Sequence, residues 1–149
     1  MYSNQNKYDL AIADFTKAID INPKEPLAYL HRGLAHASKG QSDLAMIDCN
    51  KASELDEKDW DVYYCLGFAF NAQQKYDLAL TNINEAIELS PRELGPYLTR
   101  GLIYGAQQKY DSAIADYTKA IDIDPKNSAA YFNRGQAYAA QQKKRFGYC

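Results

Sequence analysis

The sequence predicts an all-α fold: an α-solenoid of helix–turn–helix repeats, about seven helices in all. Three observations predict it. The chain repeats itself with a period of 34 residues from Tyr8 to Lys143, without a gap. Within each repeat, small and aromatic residues recur three or four apart in two separate runs, the spacing of one helix face. Between those runs stands a short polar stretch, and the hexapeptide Ala-Gln-Gln-Lys-Tyr-Asp occurs identically at 72–77 and 106–111. A unit of this length cannot bury its apolar face alone, so neighbouring units must stack.

Four columns set the register. They are Tyr29, Tyr63, Tyr97 and Tyr131; Gly33, Gly67, Gly101 and Gly135; Ala11, Ala45, Ala79 and Ala113; and Ala18, Ala52, Ala86 and Ala120. Residues 1–25 read as the end of a first helix followed by a second helix. Three complete repeats follow at 26–59, 60–93 and 94–127, then a lone first helix at 128–142 and a tail outside the repeat at 143–149. Second helices open at Asp9, Asp43, Asp77 and Asp111, where a carboxylate favours the positive end of the helix dipole. They end before Pro23, Pro91 and Pro125, with Glu57 in the corresponding place, because proline cannot continue the hydrogen-bond ladder. A glycine inside a helix costs about 1 kcal/mol relative to alanine. The glycine column therefore implies close approach to the second helix, as of Gly101 to Ala113, with tyrosines filling the flanks. A third copy starts at 140 as Ala-Gln-Gln-Lys, but Lys144 and Arg145 replace the Tyr-Asp, and the repeat breaks there.

Composition narrows the function. Apolar residues make up 46% and charged residues 24%, which excludes a disordered chain. A net charge of −2 argues against nucleic acid as partner, and Lys143-Lys144-Arg145 reads as a solvated terminus. No apolar run has transmembrane length and the start lacks a signal-peptide core, so no membrane role and a cytoplasmic setting are expected. Cys49, Cys65 and Cys149 are odd in number, lack close ligand spacing and read as small core or surface residues, not a disulfide frame or a zinc site. His31 and His36 are five apart and point to different faces. Neither a metal site, a phosphate loop nor a nucleophile–base–acid set emerges; no catalytic role and no cofactor are expected.

The columns resemble the tetratricopeptide repeat family: an aromatic, glycine four later, a second aromatic, two alanines and a closing proline. Here these are Tyr97, Gly101, Tyr104, Ala113, Ala120 and Pro125, with equivalents in the neighbouring units. The resemblance implies a right-handed superhelix whose first helices line a concave groove. It also implies a non-catalytic protein–protein interaction scaffold that binds a peptide or partner segment. The alternative is a regulatory or targeting segment of a larger enzyme.

The first helices carry a stripe apart from the Tyr/Gly face, and in the family these positions face the groove. It comprises Leu27, Leu30, His31 and Leu34; Asp61, Tyr64, Cys65 and Phe68; Leu98, Thr99 and Leu102; and Phe132, Asn133 and Gln136. Asp61 is its one formal charge. Packing against adjacent first helices is the competing reading for Leu30, Tyr64, Leu98 and Phe132. The expectation is an apolar groove for an extended or helical peptide, with Leu34 and Phe68 among its anchors. Family members that clamp the acidic tail of heat-shock chaperones do so with Lys, Arg and Asn. The matching positions here are Leu30, Leu34, Cys65, Gly95 and Thr99 or, one unit along, Tyr64, Phe68, Thr99, Ala129 and Asn133. No cation stands among them, which argues against a chaperone C-terminal tail.

Two further expectations concern the frame. Arg32 and Arg100 each have an aspartate sixteen residues on, Asp48 and Asp116, whereas Leu66 is followed by Asn82. This predicts pairs across each hairpin, with Arg134 as a competing partner for Asp116. The two ends expose faces that normally pack on each other. A fragment of a longer array, head-to-tail self-association and frayed ends all account for this; the fragment reading is favoured, with end-to-end stacking at high concentration.

Overall fold

The computed structural model describes residues 3–55 and 59–147. Two compact units divide the chain, residues 1–89 and 90–149. The first contains α1 (Ser3–Ile21), α2 (Pro26–Ser38), α3 (Ser42–Leu55), α4 (Trp60–Ala72) and α5 (Tyr76–Leu89). The second contains α6 (Leu94–Ala106), α7 (Tyr110–Ile123) and α8 (Ser128–Phe146). Glu57 and Cys149 lie outside the described residues.

Each interior hairpin is closed by the same corner. In the α4–α5 corner the Lys75 N–H reaches the Phe70 carbonyl (3.0 Å) and the Gln74 N–H the Asn71 carbonyl (2.9 Å). Lys109 to Tyr104 (2.8 Å) and Gln108 to Gly105 (2.9 Å) repeat this, as do Gln41 to His36 (2.9 Å) and Gly40 to Ala37 (2.9 Å). This is the Schellman arrangement, which needs one left-handed residue. Gly40 supplies it at φ 75°, but Gln74 and Gln108 stand there at 58° and 57° despite their side chains. The first glutamine of the stretch makes a different bond. Gln73 donates to Asp43 of the preceding second helix (3.2 Å), and Gln141 to Asp111 (2.5 Å).

The columns become contacts. All of Ala45, Ala79, Ala113, Ala52, Ala86 and Ala120 are fully buried. A methyl group placed on Gly67 would stand 2.7 Å from Ile83, and one on Gly101 2.6 Å from the Tyr117 ring. The glycines thus face the residue four after the alanine, and at Gly33 and Gly67 also the carbonyl of the alanine itself, Ala45 and Ala79, at 3.2 Å; around Gly101 the nearest atoms are those of Tyr117. Tyr29 and Tyr97 donate their phenols to the carbonyls of Pro23 (3.3 Å) and Pro91 (3.2 Å), tying the loop to the hairpin.

The predicted ion pairs are present. Arg32 grips Asp48 bidentately through Nε (2.8 Å) and Nη2 (2.7 Å), and Arg100 grips Asp116 the same way (2.9 and 2.7 Å). In both arginines the hydrogen bond to the carboxylate raises the guanidinium pKa above its ordinary value. Asp116 therefore serves its own hairpin, while Arg134 donates to Thr118 (3.1 Å). Where leucine replaces arginine, Asn82 turns back to the Leu78 carbonyl of its own helix (2.9 Å).

Three expectations need correction. The N-terminal segment is one continuous helix from Ser3, not a helix end plus a new helix. At the other end α8 does not stop at 142 but runs to Phe146, and Gly147 at φ 66° ends it. Cys49 and Cys65 are not free small residues: a disulfide joins them, and with it α3 to α4. The physical reason lies in the repeat. The same place in a second helix faces the same place in the next first helix, so Phe15 stacks on His31 (5.5 Å) one repeat earlier. Both sulfurs are buried against Gly33, whose missing side chain leaves them room.

Candidate functional site

The stripe on the first helices separates by burial. Leu30, Cys65 and Thr99 are buried at 3%, 1% and 3% exposure, so they belong to the frame. Half-buried are Leu34, Asp61, Tyr64, Phe68, Leu98 and Asn133. Leu27, His31, Leu102, Phe132 and Gln136 are exposed. The competing reading of the large residues thus holds for Leu30, which joins the core, and for Leu98, which packs against Ala113, Tyr117 and Ala137. Phe132, at 65% exposure, is not packed away.

In the first unit, α2 and α4 position the stripe. Along α4, Trp60, Tyr64 and Phe68 are spaced by four, one helical turn, and form a ladder with ring centroids 6.1 and 6.0 Å apart. Leu34 and Phe68 also pack on the core cluster around Tyr29, Val62 and Ala69, so each supports the frame while keeping a partly open surface. Asp61 interrupts the apolar character. Its carboxyl is pushed above the ordinary aspartate value, first by burial and then by the charge of Asp59, while backbone N–H groups of Asp61 and Val62 and the nearby His31 act the other way. Its Oδ1 is buried without a hydrogen-bond partner among the described residues. An ionised carboxylate placed this way is costly unless a donor covers it.

In the second unit, α6 and α8 flank a cleft of about 320 Å³. Leu102, Gly105 and Ala106 form one wall, Asn133, Gln136, Ala137 and Ala140 the other, with Tyr110 and Tyr117 also lining it. Three predicted residues, Leu102, Asn133 and Gln136, are thus brought together; Leu98, Thr99 and Phe132 are not among its lining. Its walls are apolar and small with amide groups at the edge, a surface that can take an apolar side chain and hold a backbone beside it.

A second cleft, about 450 Å³, lies where the α6–α7 corner meets the extended end of α8, among Gln108, Lys109, Asp111, Lys144 and Arg145. Lys144 and Arg145 of the expected tail are therefore part of the folded surface. Sequence reasoning also missed a row on the second helices of the first unit: Leu10, Leu44 and Leu78 are exposed at 68%, 46% and 49%. Their spacing of 34 was the available signal. Among the described residues no three His, Cys, Asp or Glu side chains gather as metal ligands, and no helix is long and apolar enough to cross a membrane.

The comparisons with known proteins agree with the fold. The chain matches the family described as TPR repeat over residues 1–40 and 101–142, and the tetratricopeptide repeat family over residues 27–59. No curated protein matches it significantly in sequence. Among solved structures it is similar to the crystal structure of MamA, with 27% identity and a TM-score of 0.70 over 93% of this chain and 81% of that one. The first TPR domain of human RPAP3 superposes with a TM-score of 0.75 at 23% identity, over 85% of this chain and all of that one. The first TPR of Spaghetti (RPAP3), solved with the HSP90 peptide SRMEEVD, gives 0.69 at 22% identity over 78% and 92%. The 34-residue hairpins, their Tyr, Gly, Ala and Pro columns and these matches make the chain a member of the tetratricopeptide repeat family.

Proposed function

We propose that this chain is a non-catalytic scaffold whose first helices bind a peptide segment of a protein partner. The cleft between α6 and α8 carries the reading, because Leu102, Asn133 and Gln136 meet there from two helices, next to small residues that leave space. Exposed Leu27 and the Tyr64–Phe68 ladder offer a comparable face in the first unit. A segment bound on the face of the first unit would have apolar anchors and one Lys or Arg. That cation would cover Oδ1 of Asp61, the oxygen left without a partner among the described residues.

The HSP90 peptide held by the Spaghetti domain carries two glutamates. This chain has no cation at the positions compared, and Leu30, Cys65 and Thr99 among them are buried. An acidic chaperone tail is therefore a poor ligand for it.

The test is selection from a random peptide display library, followed by titration of the recovered peptides. Recovered sequences should combine aliphatic or aromatic residues with a basic one. They should bind Leu27→Glu/Leu102→Glu at least about tenfold more weakly, while SRMEEVD should show no measurable binding. Both leucines are about half exposed, so circular dichroism should be unchanged. Peptides that bind the double variant as well as the unaltered chain would remove the first helices from the function.

A further inference from the structure

The bond between Cys49 and Cys65 ties α3 to α4 at the centre of the first unit, across a separation of sixteen residues. Both side chains are buried, at 0% and 1% exposure, in the cluster that Tyr29, Leu30, Val62 and Ala69 also build. Cys65 stands on the stripe of α4, directly after Tyr64 and three residues before Phe68. Phe68 and Leu34, two expected anchors of the binding face, pack on that same cluster. A change at the sulfurs therefore reaches the binding face through residues already in contact.

The sulfurs have little slack around them. Even on the side of Gly33, where no side chain stands, an added methyl group would meet each sulfur at 3.1 Å. Unbonded heavy atoms settle about 3.5–4.0 Å apart, so two separate thiols need room that this close-packed site does not hold. One acceptor is ready for the reduced state. Sγ of Cys65 lies 3.7 Å from the Leu30 carbonyl, to which a thiol can donate and a bonded sulfur cannot. The remaining room has to come from movement of α4 against α3. Equivalent places elsewhere carry no such bond: Phe15 stacks on His31 one repeat earlier, and Tyr117 and Asn133 occupy them in the second unit.

We propose that the Cys49–Cys65 bond is a redox control on the binding face of the first unit. Oxidised, it holds α4 against α3 with Trp60, Tyr64 and Phe68 in their ladder; reduced, it lets α4 loosen. The chemistry is thiol–disulfide exchange with a small dithiol. One thiolate of the dithiol attacks one sulfur and releases the other; its second thiolate then closes a cyclic disulfide and frees the first. Two electrons pass from the dithiol to the Cys49–Cys65 pair, and the dithiol's two protons end on the two cysteine thiols. Because both sulfurs are buried, α3 and α4 must part before the attack, so exchange follows local opening of this unit. The effect on partners rests on the peptide-binding reading; the effect on α4 does not.

Amide hydrogen exchange by NMR tests it, on the Cys149→Ser chain oxidised with glutathione disulfide and then reduced with dithiothreitol. That substitution removes the third thiol as an exchange partner. Alkylation should find no free thiol before reduction and two after it. Reduction opens a loop of about fifteen residues, so amides of α3 and α4 should exchange roughly a hundredfold faster, while those of α6 and α7 keep their rates. Library peptides whose shifts map to Leu27, Tyr64 and Phe68 should bind the reduced chain at least about tenfold more weakly. Peptides mapping to Leu102, Asn133 and Gln136 should bind both states alike. Cys49→Ala/Cys65→Ala should match the reduced chain and ignore dithiothreitol, which separates the bond from other effects of the reductant. Free thiols in the oxidised chain, unchanged exchange in α3 and α4, equal acceleration in α6 and α7, or first-unit peptides held equally by both states would overturn the proposal. If no peptide binds either state, the peptide-binding reading falls, and the exchange rates of α3 and α4 alone decide for or against the redox control.

Discussion

Helices α6 and α8 carry nearly the same repeat, Pro-Tyr-Leu-Thr-Arg-Gly-Leu-Ile-Tyr-Gly-Ala-Gln-Gln-Lys against Ala-Tyr-Phe-Asn-Arg-Gly-Gln-Ala-Tyr-Ala-Ala-Gln-Gln-Lys, yet shared residues behave differently. Tyr97 is buried and Tyr131 is not; Arg100 holds a carboxylate and Arg134 a hydroxyl; Gly101 is pressed by Tyr117 and Gly135 faces open space. Gln108 turns the chain at φ 57°, while Gln142 stays inside α8. The difference is α7. It supplies Asp116 and Tyr117 to α6, and its packing offsets the roughly 1–2 kcal/mol that a left-handed glutamine costs. After Lys143 the chain continues Lys-Arg instead of Tyr-Asp, and α8 runs on through them to Phe146. Columns in this sequence mark places; the helix packed on them decides what the residues do.

Paired substitutions at equivalent places test this contrast. Arg100→Ala strands the buried Asp116 carboxylate and should cost about 2–3 kcal/mol by urea unfolding; Arg134→Ala should cost less than about 1 kcal/mol, one exchanged hydrogen bond. Equal costs would show that α7 is not what distinguishes the two helices. The glycine pair should differ in sign. Gly101→Ala forces a methyl group into the Tyr117 ring and should lose about 1–3 kcal/mol, whereas Gly135→Ala should gain up to about 1 kcal/mol of helix propensity. Losses at both positions would argue that the space beside Gly135 is already filled.

Smaller and again opposite effects belong to the corner. Gln108→Gly relieves the left-handed side chain and should add about 1 kcal/mol, while Gln142→Gly should remove roughly 0.5–1 kcal/mol from a helix interior. Thermal melts of the two variants would read this directly. The last prediction concerns alkaline pH. Burial, helped by the nearby Asp116 charge, pushes the Tyr117 hydroxyl up to about 12, against an ordinary value of about 10 in the unfolded chain. The unfolded state therefore releases its proton first: the contribution is intact below pH ~10 and is lost as pH rises towards 12. Tyr117→Phe should lose less stability than the unaltered chain over that interval; parallel losses would place the effect elsewhere.

Much of the frame was legible because each column occurs several times. The helix ends at Ala72 and Ala106, the starts at Tyr76 and Tyr110, and the Arg–Asp pairs all follow from a single register. The Cys49–Cys65 bond was not legible, although it too spans sixteen residues. It joins a second helix to the next first helix, a relation with no repeated residue type to announce it: Phe15 and His31 fill the equivalent places one repeat earlier. The stripe was legible as a stripe but not residue by residue. Leu30 and Phe132 share one position and end at 3% and 65% exposure, because burial depends on the neighbour each helix has. The continuity of α1 and α8 through corner-like sequence was illegible for the same reason.

The central functional claim is that partners are held by the first helices. The most direct measurement is an NMR titration of the isotope-labelled chain with a peptide recovered from the display library. The account predicts shifts concentrated at Leu102, Asn133, Gln136 and Ala137, and at Leu27, Asp61, Tyr64 and Phe68. Shifts confined instead to the exposed row Leu10, Leu44 and Leu78 would contradict it and move the binding face to the second helices.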